Sequence, residues 1–214
     1  MVEELEKQRA AGFRSFEVKM SGAPRADLQR GLALTLGLPN DVVLMLDPNE
    51  GWTVTDTIAI GKRLSDHAHQ LYFEQPVRKE NVSGMAAARR AKPVPIIAHE
   101  PVTSPAYAYE LVKAEAADVI NVTIARLGSM RACFDTIAIT AAAGLLYRID
   151  APVQSRLGDS ALAHLGMATD HVLAACDTHL DVDCPVTMRG GLAVDGETVT
   201  LRDTPGIGVE VELS

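Results

Sequence analysis

Short apolar segments alternate with amphipathic segments along most of the chain, and this alternation is typical of parallel βα units. Strands are predicted over residues 14–20, 42–46, 70–74, 94–98, 118–124 and 145–149, with a weaker one at 172–178. Helices are predicted over residues 3–11, 25–36, 53–67, 83–91, 129–143 and 158–167, with one more beginning at Ser104. This series predicts an α/β fold, either a (β/α)8-type barrel or a doubly wound open sheet. Glycine-rich phosphate-binding motifs are absent from the sequence, which disfavours the open sheet.

The last part of the chain has a different pattern. The pairs Gly190-Gly191, Asp195-Gly196 and Pro205-Gly206 indicate turns between short strands. We therefore divide the chain into a partial (β/α) barrel over residues 1–185 and a C-terminal tail over residues 186–214. The short strands of the tail are expected to pack back on the barrel.

Composition and charge exclude several classes of protein. The 214 residues are 47% hydrophobic and carry a formal net charge of −8, so a large core is expected and a nucleic-acid partner is not. The apolar runs are much shorter than the roughly 20 residues of a membrane-spanning helix. The charged N-terminal segment also lacks the apolar core of a secretory signal. We expect a cytoplasmic protein without a membrane partner.

Polar side chains occur where the predicted strands end. In a parallel barrel the carboxyl ends of the strands carry the chemistry, so these residues are the first candidates for a site. Carboxylates that meet there from neighbouring strands would repel one another unless a cation lay among them, and Mg²⁺ prefers oxygen ligands. The polar residues at the strand ends are Lys19, Asp47, Glu74, His99, Glu100, Thr123 and Asp150.

Four motifs carry a resemblance to a known family. Together they resemble the enolase superfamily, and within it the group of mandelate racemase and muconate-lactonising enzymes. The resemblance extends in order over nearly the whole chain. It implies a modified (β/α)8 barrel that holds Mg²⁺ at three strand ends, abstracts a proton alpha to a substrate carboxylate and stabilises the enediolate. The motifs are Leu46-Asp47-Pro48-Asn49-Glu50-Gly51-Trp52, Phe73-Glu74-Gln75-Pro76, Pro95-Ile96-Ile97-Ala98-His99-Glu100 and Pro205-Gly206-Ile207-Gly208-Val209.

The resemblance also implies roles for individual residues. Asp47 and Glu74 match the first two metal ligands, and the third falls on His99, with Glu100 beside it. An imidazole nitrogen matches Mg²⁺ less well than a carboxylate oxygen does, so Mn²⁺ or another divalent metal is an alternative cofactor. Lys19 matches a lysine that removes or returns the substrate proton, provided that its surroundings lower its pKa. Weaker candidates for substrate binding are Asn49, Thr123 and Asp150.

The sequence departs from the family pattern at several points. Glu17 stands where the first lysine of a Lys-x-Lys strand is expected, and Thr123 stands where a lysine is expected on the opposite face of the substrate. Threonine is no base at neutral pH, so a racemase that uses two lysines is disfavoured. The sequence also contains no counterpart of the family's N-terminal capping domain or first barrel strand. We expect the incomplete barrel to self-associate as a homo-oligomer through its unpaired strand edge.

Two hypotheses of different classes follow from the resemblance, and a third needs no family: an α/β sheet protein with unrelated acidic loops, which would show no metal dependence. The first is a divalent-metal-dependent lyase or isomerase, of the dehydratase, racemase or cycloisomerase type, acting on a small carboxylic acid through an enediolate. The second is a catalytically degenerate paralogue or a fragment that serves as a binding or assembly module. The missing cap and the residues Glu17, His99 and Thr123 motivate the second hypothesis.

Overall fold

A computed structural model of the chain describes residues 1–67, 70–91, 93–170, 173 and 185–212. The helices are α1 (Val2–Ala10), α2 (Pro24–Thr35), α3 (Val54–Leu64), α4 (Val82–Arg90), α5 (Pro105–Lys113), α6 (Ile124–Leu127), α7 (Met130–Ala142) and α8 (Arg156–Met167). The strands are β1 (Ser15–Lys19), β2 (Val43–Asp47), β3 (Gln70–Glu74), β4 (Ile96–Ala98), β5 (Val119–Val122), β6 (Leu146–Ile149), β7 (Thr187–Gly190), β8 (Leu192–Asp195), β9 (Thr198–Leu201) and β10 (Val209–Glu212).

Strands β1 to β6 form one parallel sheet in the order of the sequence. Because the order never reverses, right-handed crossovers place the helices on one side of the sheet, and the sheet curls around its other side as part of a barrel. The predicted α/β fold with parallel βα units is therefore confirmed. The predicted strand at 172–178 lies, apart from Leu173, outside the described residues.

The predicted strand at 118–124 is too long. Strand β5 ends at Val122, and the short helix α6 begins two residues later. Its turn is closed by hydrogen bonds from the Leu127 amide to the Thr123 carbonyl (3.0 Å) and from the Gly128 amide to the Ile124 carbonyl (2.7 Å). Gly128 then ends the helix with a φ of 79°, which glycine adopts without strain. The β-branched run suggested a longer strand, but this local hydrogen bonding overrides its propensity.

Capping residues set the beginnings of several helices where the sequence predicts them. Thr53 caps α3 in a reciprocal capping box with Asp56, and Ser104 caps α5 by accepting a hydrogen bond from the Tyr107 amide at 3.1 Å. Each cap satisfies an amide that has no partner within its helix. Within the described part of the chain, no helix has both the length and the apolar character needed to cross a bilayer.

The two faces of the sheet have different contents. Residues on the helix-facing side, such as Leu44, Phe73 and Ile120, belong to two large apolar clusters. The alternate residues of the same strands point to the inside of the curled sheet. There Met45, Ile97 and Val119 form a separate small apolar cluster. Because side chains alternate along a strand, the polar residues further along the same strands share this inner face.

The C-terminal strands form two small antiparallel sheets, β7 with β10 and β8 with β9. They are held to helix α8 by hydrogen bonds. Arg156 Nη1 donates to the Gly190 carbonyl (3.0 Å) and the Leu192 carbonyl (3.1 Å), and the Leu192 amide donates to Ser160 Oγ (3.1 Å). Helix α8 thus joins the C-terminal strands to the β/α part of the chain.

Candidate active site

A cleft of 520 Å³ opens at the carboxyl ends of the parallel strands. Because side chains alternate between the two faces of a sheet, each strand directs one or two polar side chains from its inner face into the cleft. Residues that are distant in sequence therefore meet there. Its lining residues are Glu17, Lys19, Asn49, His99, Glu100, Thr123, Ala125, Arg126, Asp150, Ala151, Pro152 and Val153.

Lys19 and Asp47 form an ion pair at one side of the cleft. The two residues are direct partners in the β1–β2 register, and Lys19 Nζ contacts both Asp47 Oδ2 and, at 2.5 Å, Glu17 Oε1. The backbone amide and the side-chain amide of Asn49 donate to Asp47 Oδ1 (2.8 Å) and Oδ2 (2.9 Å). Asp47 is therefore surrounded by donors from its own and the neighbouring strand end.

Arg148 lies fully buried on the inner face and joins three carboxylates. Its Nη2 donates to Glu17 Oε2 at 2.7 Å and its Nη1 to Glu74 Oε2 at 2.9 Å, and Nη1 also lies 3.4 Å from Asp150 Oδ2. Glu17 occupies the position where the family resemblance would place a lysine. The Arg148 guanidinium compensates the negative charge of Glu17. A buried charge network of this kind is stable only while its members remain paired.

Glu74, His99 and Asp150 form a group of potential metal ligands. One ligand atom from each lies within 4.8 Å of the others. His99 Nδ1 is 2.8 Å from Glu74 Oε1, yet this buried nitrogen makes no aligned hydrogen bond among the described residues. Asn121 Nδ2 donates to both Glu74 Oε1 and Asp150 Oδ2, each at 3.0 Å. The amide thus ties the two carboxylates together.

The close approach of these groups changes their pKa values. Burial, followed by the negative charge of Glu74, raises the pKa of Asp47 to about 6, although Lys19 and Asn49 oppose the change. Burial would also raise the pKa of Glu74, but the close contact with His99 and the charge of Arg148 lower it overall. Burial would lower the pKa of His99, whereas the contact with Glu74 and the charge of Asp150 raise it overall.

Lys19 has a raised pKa. Burial of the ammonium would lower this pKa, but hydrogen bonds to Asp47 and Glu17 and the charges of both carboxylates outweigh it. The expected condition for a lysine base, a lowered pKa, is therefore not met in the arrangement that the structure describes.

The charges around the cleft do not balance. Among the described residues there, five carboxylates face three side chains of lysine and arginine, so two negative charges remain while His99 is neutral. A divalent cation would neutralise this excess. The residues counted are Glu17, Asp47, Glu74, Glu100 and Asp150 against Lys19, Arg126 and Arg148.

The structure brings the predicted site residues together in two groups. Lys19, Asp47 and Asn49 form one, and Glu74, His99 and Asp150 form the other. Thr123 Oγ1 lies 3.4 Å from His99 Nε2. Glu100 lines the cleft but stays outside the second group, and its buried Oε2 has no hydrogen-bond partner among the described residues.

Three further residues of the site were not predicted from the sequence: Arg148, Asn121 and Arg126. Arg148 precedes Asp150 by two positions and Asn121 precedes Thr123 by two, so strand alternation alone would have placed both on the inner face. Arg126, whose Nη2 lies 3.5 Å from His99 Nε2, projects from helix α6, which was expected to be strand or loop.

Comparisons with known proteins extend over the whole chain. The family model described as enolase C-terminal domain-like matches residues 1–214. The chain is 26% identical over 216 residues to the L-Ala-D/L-Glu epimerase of Bacillus subtilis, covering 98% of this chain and 58% of that protein. It is 27% identical over 206 residues to muconate cycloisomerase 1 of Rhodococcus opacus, covering 93% of this chain and 54% of that protein.

A solved structure agrees with these matches. The dipeptide epimerase of Enterococcus faecalis, complexed with Mg and the dipeptide L-Leu-L-Tyr, superposes with a TM-score of 0.86 at 26% identity, covering 97% of this chain and 59% of that one. The chain thus spans less than two thirds of the length of these relatives.

Proposed function

The chain belongs to the enolase C-terminal domain-like family, within the mandelate racemase and muconate-lactonising group of the enolase superfamily, and from this we propose a metal-dependent proton-transfer function. The proposed enzyme is a lyase or isomerase that abstracts a proton alpha to a carboxylate of a small organic acid. The observation that carries the proposal is the cleft with two uncompensated negative charges beside Lys19. A site of this kind suits a divalent cation and an acidic substrate together.

The residues of the cleft fit a divalent cation. Glu74, Asp47, His99 and Glu100 offer oxygen and nitrogen donors, and the unaligned His99 Nδ1 is the kind of buried atom that a cation would satisfy. When bound, the cation would supply the positive charge needed where an enediolate develops. Arg148 holds the far oxygen of Glu74, so the protein orients this carboxylate before any ligand arrives.

Lys19 is the proposed proton-transfer residue. Its raised pKa means that it rests as an ammonium, which attracts a substrate carboxylate and can return a proton. To accept a proton, it must first be released from Asp47 and Glu17, so the two carboxylates control its basicity. Thr123 stands on the other side without basic chemistry, which favours proton transfer on one face of the substrate only.

The proposed substrate is a small carboxylic acid, and a dipeptide is one member of this class. Of the relatives described above, one is named as an L-Ala-D/L-Glu epimerase and another as a dipeptide epimerase. Arg126 and Lys19 provide positive charge at the cleft, and Asn49 and Asp150 provide polar contacts for the rest of the molecule. A non-catalytic module is less well supported, because the relatives matched over most of the chain carry the names of enzymes.

Exchange of substrate protons tests the proposal. The full chain would be incubated in D₂O with Mg²⁺ or Mn²⁺ and a panel of small acids and dipeptides, and loss of the alpha-proton signal would be followed by NMR. We expect exchange that chelation with EDTA abolishes. Lys19→Ala should lose it, whereas Lys113→Ala, at an exposed lysine of helix α5, should keep it. Equal exchange by Lys19→Ala and the parent chain would refute the role of Lys19.

A further inference from the structure

We propose that Gln75 is a positioning residue of the cation site: its left-handed backbone and its buried side chain fix the loops after β2, β3 and β4 against one another before a cation binds. These loops begin at or just after the candidate ligands Asp47, Glu74 and His99. The inference rests on the proposed metal-dependent function and goes beyond it, because it assigns a role to a residue that is itself no candidate ligand.

Left-handed backbone is concentrated next to the candidate ligands. In the described part of the chain, the non-glycine residues with a positive φ are Asn49 (45°), Glu50 (65°), Gln75 (34°) and Glu115 (52°). The first three lie within three positions of the carboxyl end of β2 or β3. A side chain makes this conformation unfavourable, so it persists only where the surrounding structure imposes it, and it often accompanies function.

Backbone hydrogen bonds join the loop of Gln75 to the loops or strands on both sides. The Gln75 amide donates to the Ile97 carbonyl of β4, and the Gln75 carbonyl accepts from the Glu50 amide, each at 2.9 Å. One position further on, the Pro76 carbonyl accepts from the Trp52 amide at 2.9 Å. These bonds extend the connection between neighbouring strands into the loops that carry the site.

The side chain of Gln75 reaches the third loop. It is fully buried, and its Oε1 accepts a hydrogen bond from the His99 amide at 3.0 Å. Its Nε2 donates to the Val77 carbonyl at 2.9 Å and lies 3.2 Å from Met85 Sδ. An apolar residue in its place would leave the buried amide of His99 without this acceptor. The backbone and side chain of one residue thus connect all three loops.

The turn at residues 48–51 is held from both sides. The Gly51 amide closes it by donating to the Pro48 carbonyl at 3.0 Å, and Glu50 Oε1 accepts from the Lys79 amide at 2.5 Å. On the other side, a Cβ on Gly51 would lie 2.7 Å from Gly22 Cα. Glycine therefore lets the turn pack directly on the loop after β1, and the turn cannot move independently of its neighbours.

Fixed loops matter here because the carboxylates that they carry repel each other. Asp47 and Glu74 are fully buried at neighbouring strand ends, and the negative charge of Glu74 acts on Asp47. In loosely held loops this repulsion would separate the two side chains, and a cation would have to draw them together again. Loops that are already fixed avoid that cost, so we expect them to increase the affinity for the cation.

Metal binding and stability, measured on the same variants, test the proposal. The full chain, freed of metal with EDTA and then of EDTA, would be titrated with Mn²⁺ while the EPR signal of the free ion is followed. Its urea midpoint would be measured without metal. Gln75→Ala removes the side-chain hydrogen bonds and should raise the Mn²⁺ dissociation constant about tenfold.

Gln75→Gly separates the backbone from the side chain. It removes the same side-chain bonds as Gln75→Ala, but glycine adopts a positive φ without strain. Compared with Gln75→Ala, it should therefore have a higher urea midpoint and yet bind Mn²⁺ at least threefold more weakly. A residue with a purely structural role would not change stability and affinity in opposite directions.

Glu115 provides the matched control. It has the same left-handed backbone, but it is exposed and lies in the loop before β5, at the amino ends of the strands. Glu115→Gly should have a higher urea midpoint than Glu115→Ala, and both should bind Mn²⁺ within twofold of the parent chain. Glu50→Gly guards against misfolding of the Gln75 variants, since it releases the turn at a half-buried position and should weaken binding at least threefold.

The outcomes separate this inference from the proposed function. Parent-like Mn²⁺ affinity in both Gln75 variants would overturn the inference and leave the metal-dependent function standing. Equal affinity of Gln75→Ala and Gln75→Gly would refute the role of the left-handed backbone. If neither Gln75 variant folds, unchanged binding by Glu50→Gly would overturn the inference. Absence of Mn²⁺ binding by the parent chain would overturn it together with the proposed function.

Discussion

Asp27 and Glu74 are two fully buried carboxylates in very different surroundings. Asp27 accepts hydrogen bonds from the amide and hydroxyl of Ser21 (2.9 and 2.7 Å) and from Trp52 Nε1 (3.0 Å), with Arg30 beside it at 3.4 Å. These donors tie the loop after β1 to the loop after β2. Asp27 is a structural carboxylate whose partners all belong to the fold.

Glu74 instead shares its surroundings with other carboxylates. Asp150 lies close enough to affect its pKa, and Glu74 in turn affects the pKa of Asp47. Among the described residues, Arg148 is the lysine or arginine that pairs with Glu74. Beside it lie two buried atoms, His99 Nδ1 and Asn121 Oδ1, that have no hydrogen-bond partner in the described part of the chain. The comparison teaches that a structural carboxylate is saturated by donors, whereas this candidate functional one retains excess negative charge that a ligand can neutralise.

The largest effect is expected where the cleft loses its internal cation. Arg148→Met removes the guanidinium shared by Glu74, Asp150 and Glu17 and leaves Lys19 as the remaining partner of Glu17. The free energy of unfolding should therefore fall by about 4 kcal/mol, measured by urea denaturation in EDTA. Adding Glu17→Gln removes one of the carboxylates that had paired with Arg148. The double variant should therefore recover part of the lost free energy of unfolding. A loss below about 1 kcal/mol in the single variant would contradict the network.

The second-largest effect is expected from added metal, which should distinguish Glu74 from Asp27. At a concentration one hundred times its dissociation constant, a cation that binds only the folded chain raises the unfolding free energy by about 2.7 kcal/mol. This rise should disappear in Glu74→Gln and persist in Asp27→Asn, as measured by denaturation with and without the metal. A similar rise in both variants would show that the cation binds away from the cleft.

The structural carboxylate should matter regardless of metal. Asp27→Asn removes the charged acceptor of Trp52 and Ser21, so we expect a loss of about 2 kcal/mol in unfolding free energy. The loss should be equal in EDTA and in metal. If the loss depended on metal, Asp27 would affect metal binding, and it would no longer differ from Glu74 in that respect.

The same variant has a defined pH dependence. Burial would raise the pKa of Asp27, but hydrogen bonds from Ser21 and Trp52 hold it below its usual value. A lowered folded-state pKa stabilises the protein at pH values above the unfolded pKa, about 3.9, and this stabilisation is lost as the pH falls through the folded value. The difference between the parent and Asp27→Asn should therefore narrow below about pH 4. A difference that widened there would contradict the assignment.

The smallest effect is expected from a substitution in the loop after β2 that changes no buried charge. Thr53 follows Trp52 and caps helix α3 in its exposed capping box with Asp56. Thr53→Ala should lower the unfolding free energy by about 1 kcal/mol, independent of both pH near neutrality and metal. A larger loss than that of Asp27→Asn would mean that the cap, rather than the buried carboxylate, secures this loop.

Much of the fold follows from local sequence patterns. Strand β3 occupies the predicted residues 70–74, and the other five strands of the parallel sheet lie within a few residues of their predicted bounds. Periodicity and capping act over a few neighbouring residues, so sequence reports them well. The helical turn of α6 was missed because its β-branched residues favour strand, while its hydrogen bonds and Gly128 favour a turn.

The site was only partly predictable. Strand-end positions identified Lys19, Asp47, Glu74 and His99, because parallel strands deliver their ends to one edge. Sequence could not show which carboxylate pairs with which cation. Arg148 lies 131 residues from Glu17 and 74 from Glu74, and no local signal joins them.

The sequence by itself determined the βα order, the polar strand ends and the family, since alternation, capping and the motifs around Asp47 and Glu74 are local properties of the chain. Only the tertiary structure decided that Lys19 engages Asp47, that Arg148 engages Glu17 and Glu74, and that His99 and Asp150 meet at Glu74. The physical reason is that charge pairing depends on distances of a few ångströms between strands, which the curl of the sheet sets and the order of residues does not.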